Sequence, residues 1–202
     1  MSASDSAHPA FWDERYRSGQ TPWNAGGVPS SLTAFLKNIA PPRVLIPGCG
    51  QGHEIRAFIA AGYDVTAIDL SPVAVEQAKE NLGAALAHCV QVGDFFTHDL
   101  KPESFDLIYE RTFLCALSPE RRLDYRIRCA QLLKYGGLLA GFFYYQKTPA
   151  GEGPPYGLAW GEADELFSRS FILTKDLPVT DSLPMFAGRE RWQERRRTAF
   201  KG

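Results

Sequence analysis

The spacing of apolar positions along this chain switches repeatedly between strand and helix periods. Val44-Leu45-Ile46, behind Arg43, is a short apolar run of the kind that forms a strand buried on both faces. It leads into Pro47-Gly48-Cys49-Gly50-Gln51-Gly52, after which Ile55, Phe58 and Ile59 recur at helical spacing. A β-branched run, Val65-Thr66-Ala67-Ile68, then ends at Asp69-Leu70. Ser71-Pro72 marks a helix start, a capping hydroxyl before a proline at the first helical position. Val75, Ala78 and Leu82 fall on one face of that helix, and Gly83 stops it. His88–Val92 and Phe105–Tyr109 are the third and fourth strand candidates. Ser118-Pro119 opens a helix with a predicted buried stripe of Leu123, Ile127, Ala130 and Leu133. Gly136-Gly137 turns the chain into a fifth strand, Leu138–Tyr145; Glu162–Ser168 reads as a helix and Phe171–Leu177 as a sixth strand. This alternation predicts an α/β fold, a Rossmann-like, doubly wound and mostly parallel sheet.

The flanks read differently. Residues 1–9 are small and polar and are expected to be disordered. Residues 10–40 form a cover segment: a short helix Phe11–Arg17 with Trp12 and Tyr16 on one face, then Thr21-Pro22-Trp23, a Gly-Gly turn and a helix Ser30–Asn38. Its tryptophans can cap the core or form a lid over a ligand. The loop 146–161, rich in proline and glycine, is long enough to be a second lid. The basic tail Arg189–Arg197 is expected to present its charge outward.

The turn at Gly48–Gly52 is where chemistry enters. Glycines let a backbone bend sharply and approach a ligand closely, and Asp69 stands at the tip of the second strand, placed for both hydroxyls of a ribose. Together they describe a pocket for an adenosine-containing cofactor. A dinucleotide fingerprint needs glycine at the sixth position counted from Gly48, where His53 stands, so a nicotinamide dehydrogenase is disfavoured. Asp94-Phe95, after the third strand, suits an adenine, with a carboxylate for the exocyclic amine and a ring for its face; a turn aspartate beside a core phenylalanine reads equally well. Glu110-Arg111-Thr112-Phe113 follows the fourth strand, at the sheet edge where such folds bind ligands.

Bulk properties narrow the class. At 202 residues the chain fits one domain, 1–202, and its 45% hydrophobic and 22% charged residues are ordinary for a globular protein. A net charge of −1 gives no general attraction to nucleic acid or anionic membranes. No apolar stretch reaches transmembrane length and the start lacks a signal pattern. Four widely spaced cysteines lack metal-site spacing and suit a reducing cytoplasm; no metal is expected.

The turn with glycines at 48, 50 and 52 resembles motif I of S-adenosylmethionine-dependent methyltransferases. More specifically, the chain resembles the thiopurine, thiol and halide methyltransferases. The matching stretches are Phe11-Trp12-Asp13-Glu14-Arg15-Tyr16, Thr21-Pro22-Trp23, Pro47-Gly48-Cys49-Gly50, Phe105-Asp106-Leu107-Ile108-Tyr109-Glu110-Arg111 and Gly153-Pro154-Pro155-Tyr156. The resemblance implies the seven-stranded methyltransferase sheet with its last strand antiparallel. It implies S-adenosyl-L-methionine as cofactor, S-adenosyl-L-homocysteine as product, and Trp12 and Trp23 covering the cofactor. Gly48 and Gly50 would line its methionine end, Asp69 and Leu70 its ribose, and Asp94 and Phe95 its adenine, with Glu110 completing the set. Arg111 matches an arginine near the transfer site of the thiopurine type. Asp69 departs from the Glu of that type, and the glycine-rich turn looks more like the halide type, so the subgroup stays open.

The reading that follows is methyl transfer to a small soft nucleophile, a thiol or thiopurine sulfur. Arg111 would deepen its ionisation, and Tyr16, Arg111, Phe113, Tyr145 and Tyr156 would form the acceptor pocket. Arg111 could instead pair with Glu110, Asp94 or Glu120. With no obvious His–acid pair, no dedicated general base is expected. Two alternatives stand beside it: a halide, thiocyanate or hydrosulfide acceptor, and a cofactor-binding protein without transfer activity. A small-molecule acceptor, a monomer, and no nucleic-acid or membrane partner complete the expectation.

Overall fold

The computed structural model describes residues 5–37, 43–146 and 153–199. Its centre is a seven-stranded sheet of order β3-β2-β1-β4-β5-β7-β6. The strands are β1 Arg43–Pro47, β2 Asp64–Asp69, β3 Val90–Val92, β4 Phe105–Arg111, β5 Leu133–Tyr144, β6 Phe171–Pro178 and β7 Glu190–Arg197. The first five are parallel, and β7 runs antiparallel to both β5 and β6. Helices α1 Pro9–Arg17, α2 Ser30–Leu36, α3 Ile55–Ala60, α4 Pro72–Leu82, α5 Arg122–Leu132 and α6 Glu162–Phe167 flank it.

Residue alternation along the strands builds two cores. Val44, Ile46 and Tyr109 pack with Leu32, Phe35, Phe58 and Trp192 on one face. Leu45 and Ile108 pack with Tyr125, Cys129, Phe143 and Phe167 on the other, as a period of two requires. Helix α4 begins where its sequence marks a start, the Ser71 hydroxyl accepting from Ala74 N, and ends at Gly83. Strand β1 lies between β2 and β4, so the chain reverses direction across the sheet there and opens a crevice at the strands' carboxyl ends.

Several expectations need correction. Within 1–9, Asp5–Ala7 forms a 3-10 turn and α1 starts at Pro9, tied down by the Trp12 indole donating to Ser6 O at 2.8 Å. Residues 1–4, the predicted helix end at Asn38 and loop positions 147–152 lie outside the described residues. In α5 the buried stripe is Arg122, Tyr125, Arg126, Cys129 and Leu132, whereas Leu123 and Ile127 are exposed. The face is set by amphipathic side chains, whose stems and rings bury while their polar tips find partners. Strand β5 begins at Leu133, not Leu138. It advances five residues, from Leu133 to Leu138, where β4 advances two, from Phe105 to Leu107, so Gly136-Gly137 forms an irregularity inside the strand rather than a turn before it. The basic tail faces outward only in part: Arg189 and Arg196 are exposed and Arg191 and Arg197 half-buried, but β7 is an interior strand with Glu190, Trp192, Gln193 and Arg195 buried.

Candidate functional site

A cavity of about 410 Å³ opens at the carboxyl ends of β1, β2 and β4 under the N-terminal cover. Its floor is the turn after β1. Gly48 has φ +60°, and a Cβ there would stand 2.5 Å from the Phe113 ring. Gly50 has φ +52°, and a Cβ there would meet the Tyr16 hydroxyl at 2.9 Å. Any side chain at either position would be strained and would collide with the residues that shape the cavity.

Asp69 closes the β2 side. Its two carboxylate oxygens accept from Gly50 N at 2.8 Å and Ser71 N at 2.9 Å, which orients the group and leaves each oxygen a second lone pair. Burial pushes its pKa up to about 6, against the pull of those amides and helped by Asp13. Beside it, Gly93 N donates to Asp69 O, Asp94 accepts from Phe96 N at 2.8 Å, and Phe95 packs edge-on against Phe96 and Phe113.

The cover is pinned in place by polar contacts that the sequence pattern did not reveal. Asp13 accepts from Ser71 Oγ and, at 3.3 Å, from Val73 N, putting an acid at the N-terminus of α4, where a helix favours negative charge. Asn24 donates to Gln51, Gln51 to Gln77, and Gln77 to Tyr16 O, joining cover, turn and helix. Trp23 Nε1 donates to the Tyr16 hydroxyl at 3.3 Å, and its ring meets Trp12 edge-on at 5.5 Å.

Arg111 lies at the β4 end, its side chain 9% exposed, with its guanidinium 4.8 Å from the centre of the Phe142 ring. Its partner is Glu54 at 3.6 Å, none of the acids expected from sequence. Three cavity-lining residues here carry a buried polar atom with no hydrogen bond: His53 Nε2, Tyr109 Oη and Arg111 Nη1. The Tyr109 hydroxyl lies against Arg111 without forming a well-aligned bond. Burial raises the Glu54 pKa despite Arg111, and burial together with the Arg111 charge lowers that of His53.

Of the residues singled out from sequence, Trp12, Tyr16, Trp23, Gly48 and Gly50 line the cavity, as do Asp69, Leu70, Asp94, Phe95, Arg111 and Phe113. Three do not. Glu110 follows Tyr109 on β4 and so points to the opposite face, where its carboxylate accepts from Phe113 N at 3.0 Å, Leu114 N at 2.9 Å and Tyr125 Oη at 2.7 Å. It fixes the loop after β4, and burial pushes its pKa up to about 7. Tyr145 stacks on Trp160 at 4.7 Å and its hydroxyl accepts from Gln193 at 2.8 Å. Tyr156 is buried under that loop, its amide donating to Cys115 O. Conversely His53, Glu54 and Tyr109 join the cavity unannounced. The signal was the polar pair directly after the last glycine of the turn, which the missing fingerprint glycine masked. Among the described residues no group of acids, histidines and cysteines is arranged for a metal.

Comparison with known proteins agrees with this geometry. The family model described as thiopurine S-methyltransferase matches residues 7–197. A probable thiol methyltransferase 2 of Arabidopsis thaliana is 31% identical over 160 residues, 77% of this chain and 70% of that protein. A thiocyanate methyltransferase 1 of Brassica oleracea is 34% identical over 154 residues, 73% of this chain and 67% of that one. A thiopurine S-methyltransferase of Vibrio cholerae serotype O1 is 32% identical over 180 residues, 79% of this chain and 80% of that one. Among solved structures, a Burkholderia thailandensis 1,6-didemethyltoxoflavin-N1-methyltransferase with bound S-adenosylhomocysteine superposes with a TM-score of 0.76 at 21% identity, covering 94% of this chain and 87% of that one.

Proposed function

The chain belongs to the thiopurine S-methyltransferase family, and from that premise we propose that it transfers the methyl group of S-adenosyl-L-methionine to the sulfur of a small thiol or thiopurine. The observation that carries this reading is one cavity with an oriented carboxylate at one end and a buried arginine at the other. The residues fit the cofactor: the Gly48–Gly50 turn has room for a ligand but none for a side chain, and each Asp69 oxygen has a lone pair for a ribose hydroxyl. Asp94 and Phe95 would take the adenine, and Trp12 and Trp23 would close over the donor end, where aromatic faces favour a cation. When bound, the cofactor supplies an electrophilic methyl group on a sulfonium. The chain's own task is to align the acceptor and keep water out, with Arg111 favouring negative charge as it develops on the sulfur.

A halide or thiocyanate acceptor is the second reading, favoured by Arg111 Nη1, which makes no hydrogen bond and has only the 3.6 Å contact to Glu54. A monomer completes the reading, and the net charge of −1 gives nucleic acid no general hold. Four free, buried cysteines support a cytoplasmic location; among the described residues no helix is long and apolar enough to cross a membrane. The test is a methylation screen of aryl thiols, alkyl thiols, thiopurines, iodide and thiocyanate. Turnover of sulfur acceptors supports the first reading and turnover of anions alone the second. In the same screen Asp69→Ala should lose S-adenosylhomocysteine binding while Arg111→Ala keeps it and loses turnover. Equal damage to both properties in both variants would contradict this division of roles.

A further inference from the structure

Four polar side chains meet at the β4 end of the cavity, and their charges do not leave Arg111 free. Glu54 lies 3.6 Å from Arg111, so an ionised Glu54 already balances the guanidinium. A thiolate arriving there would face a carboxylate as well as an arginine. A neutral thiol meets no such penalty, but it must then lose its proton inside the site. Glu54 is engaged by Arg111, and the Tyr109 hydroxyl is buried with a pKa raised further by burial and by Glu54. His53 is the remaining group. Its Nε2 is buried without a hydrogen-bond partner. Buried polar atoms are nearly always paired in folded proteins, and one left unpaired at a cavity wall asks for a ligand that pairs it.

We propose that His53 accepts the proton of the acceptor thiol, so that the enzyme takes thiols that are un-ionised in water, such as alkyl thiols and hydrogen sulfide. This rests on the methyl-transfer reading of the same cavity. In the step, the acceptor sulfur gains a bond to the methyl carbon as that carbon's bond to the sulfonium breaks. The thiol proton goes to His53 and from there to water, and the sulfonium is left as a neutral thioether. No oxidant or reductant is involved. Burial and the adjacent Arg111 keep His53 neutral at neutral pH, ready to accept. Arg111 is the charged group that acts on its titration; Glu54 follows it in the chain, and Glu54, Tyr109 on β4 and Glu190 of β7 all feel the same guanidinium.

The experiment compares wild type with His53→Gln and His53→Asn on 2-mercaptoethanol, un-ionised at neutral pH, and 5-thio-2-nitrobenzoate, already ionised. Loss of a general base lowers a rate by roughly 100-fold or more, so kcat/KM for 2-mercaptoethanol should fall by about that factor and by at least tenfold more than for the ionised thiol. The wild-type rate on 2-mercaptoethanol should rise with pH through an ionisation below the usual range of histidine. In the variants it should instead follow the thiol's own ionisation at higher pH. A readout independent of turnover is the imidazole ¹⁵N signal of His53 in the S-adenosylhomocysteine complex, which should shift as a neutral ring nitrogen accepts a hydrogen bond from added 2-mercaptoethanol. Equal losses on both thiols, no loss on either, or an unmoved imidazole signal overturns the assignment while leaving the methyltransferase reading intact. If wild type binds S-adenosylhomocysteine but methylates no sulfur acceptor, the acceptor assignment falls with it.

Discussion

Arg195 on β7 and Arg111 on β4 are both buried arginines laid beside aromatic rings, yet their surroundings differ. Arg195 is 1% exposed, lies 5.0 Å from the Phe167 ring centre, and spends its nitrogens on Asp164 and on Gln193. None of its nitrogens is both buried and unpartnered. Arg111 faces a cavity, has only a long contact to Glu54, and keeps a buried Nη1 without a hydrogen bond. One arginine is consumed in holding a strand inside a sheet; the other is held ready beside a space. The difference teaches that burial alone does not distinguish a structural ion from a functional one; an incomplete hydrogen-bond set does so only beside a cavity, since Arg122 and Arg126 of α5 also leave a buried Nε unbonded yet do not line it.

The comparison can be broken by removing each side chain in turn. Arg195→Ala strips the interior strand of its ion pair and amide bonds and should cost about 3 kcal/mol in chemical denaturation, with the specific activity of the folded fraction unchanged. Arg111→Ala should reverse the pattern. Turnover should fall about 100-fold, while stability changes by less than about 1.5 kcal/mol, because burial already makes Glu54 easy to protonate once its partner has gone. A large stability loss in Arg111→Ala with little kinetic effect would erase the distinction.

Asp69 sharpens it further, being oriented by two amides yet left with unused lone pairs. Its pKa near 6 means that it protonates as the pH falls through that value. S-Adenosylhomocysteine should therefore bind more weakly below about pH 6 and reach a plateau above it. In folding, a raised pKa acts the opposite way, since ionising the buried group destabilises the free protein as pH rises from its unfolded value of 3.8 towards about 6. Asp69→Asn should lower the ligand's affinity by roughly tenfold or more and flatten its dependence on pH. The smallest effect is expected from Asp13→Ala, which unpins the cover from α4. It should cost about 1 kcal/mol and weaken S-adenosylhomocysteine binding by about fivefold, read by calorimetry.

What the sequence revealed follows the same division. The nucleotide-binding half was legible because backbone requirements leave marks in residue type: glycines where φ is positive, a serine-proline pair where α4 starts, an acid at the tip of β2. The other half was harder to read. Arg195 and Glu190 are charged residues on an interior strand, and only the packing of β7, which brings Asp164 to Arg195 and Ser182 and Leu183 to Glu190, makes their burial tolerable. Nothing local in Arg-Arg-Arg indicates this. Glu110 and Tyr145 were misplaced for a related reason. Proximity to the strand end suggested the cavity, but the period of two sends each to the opposite face. His53 and Glu54 were visible yet went unread, because their meeting with Arg111 joins residues far apart in the chain.

The central claim is that the Gly48–Asp69 unit holds an adenosylated sulfonium cofactor, and calorimetric titration of the protein with S-adenosylhomocysteine tests it most directly. The account predicts one site per chain in wild type and no measurable binding in Asp69→Ala at neutral pH. Absence of binding in wild type, or equal binding by both proteins, would contradict it.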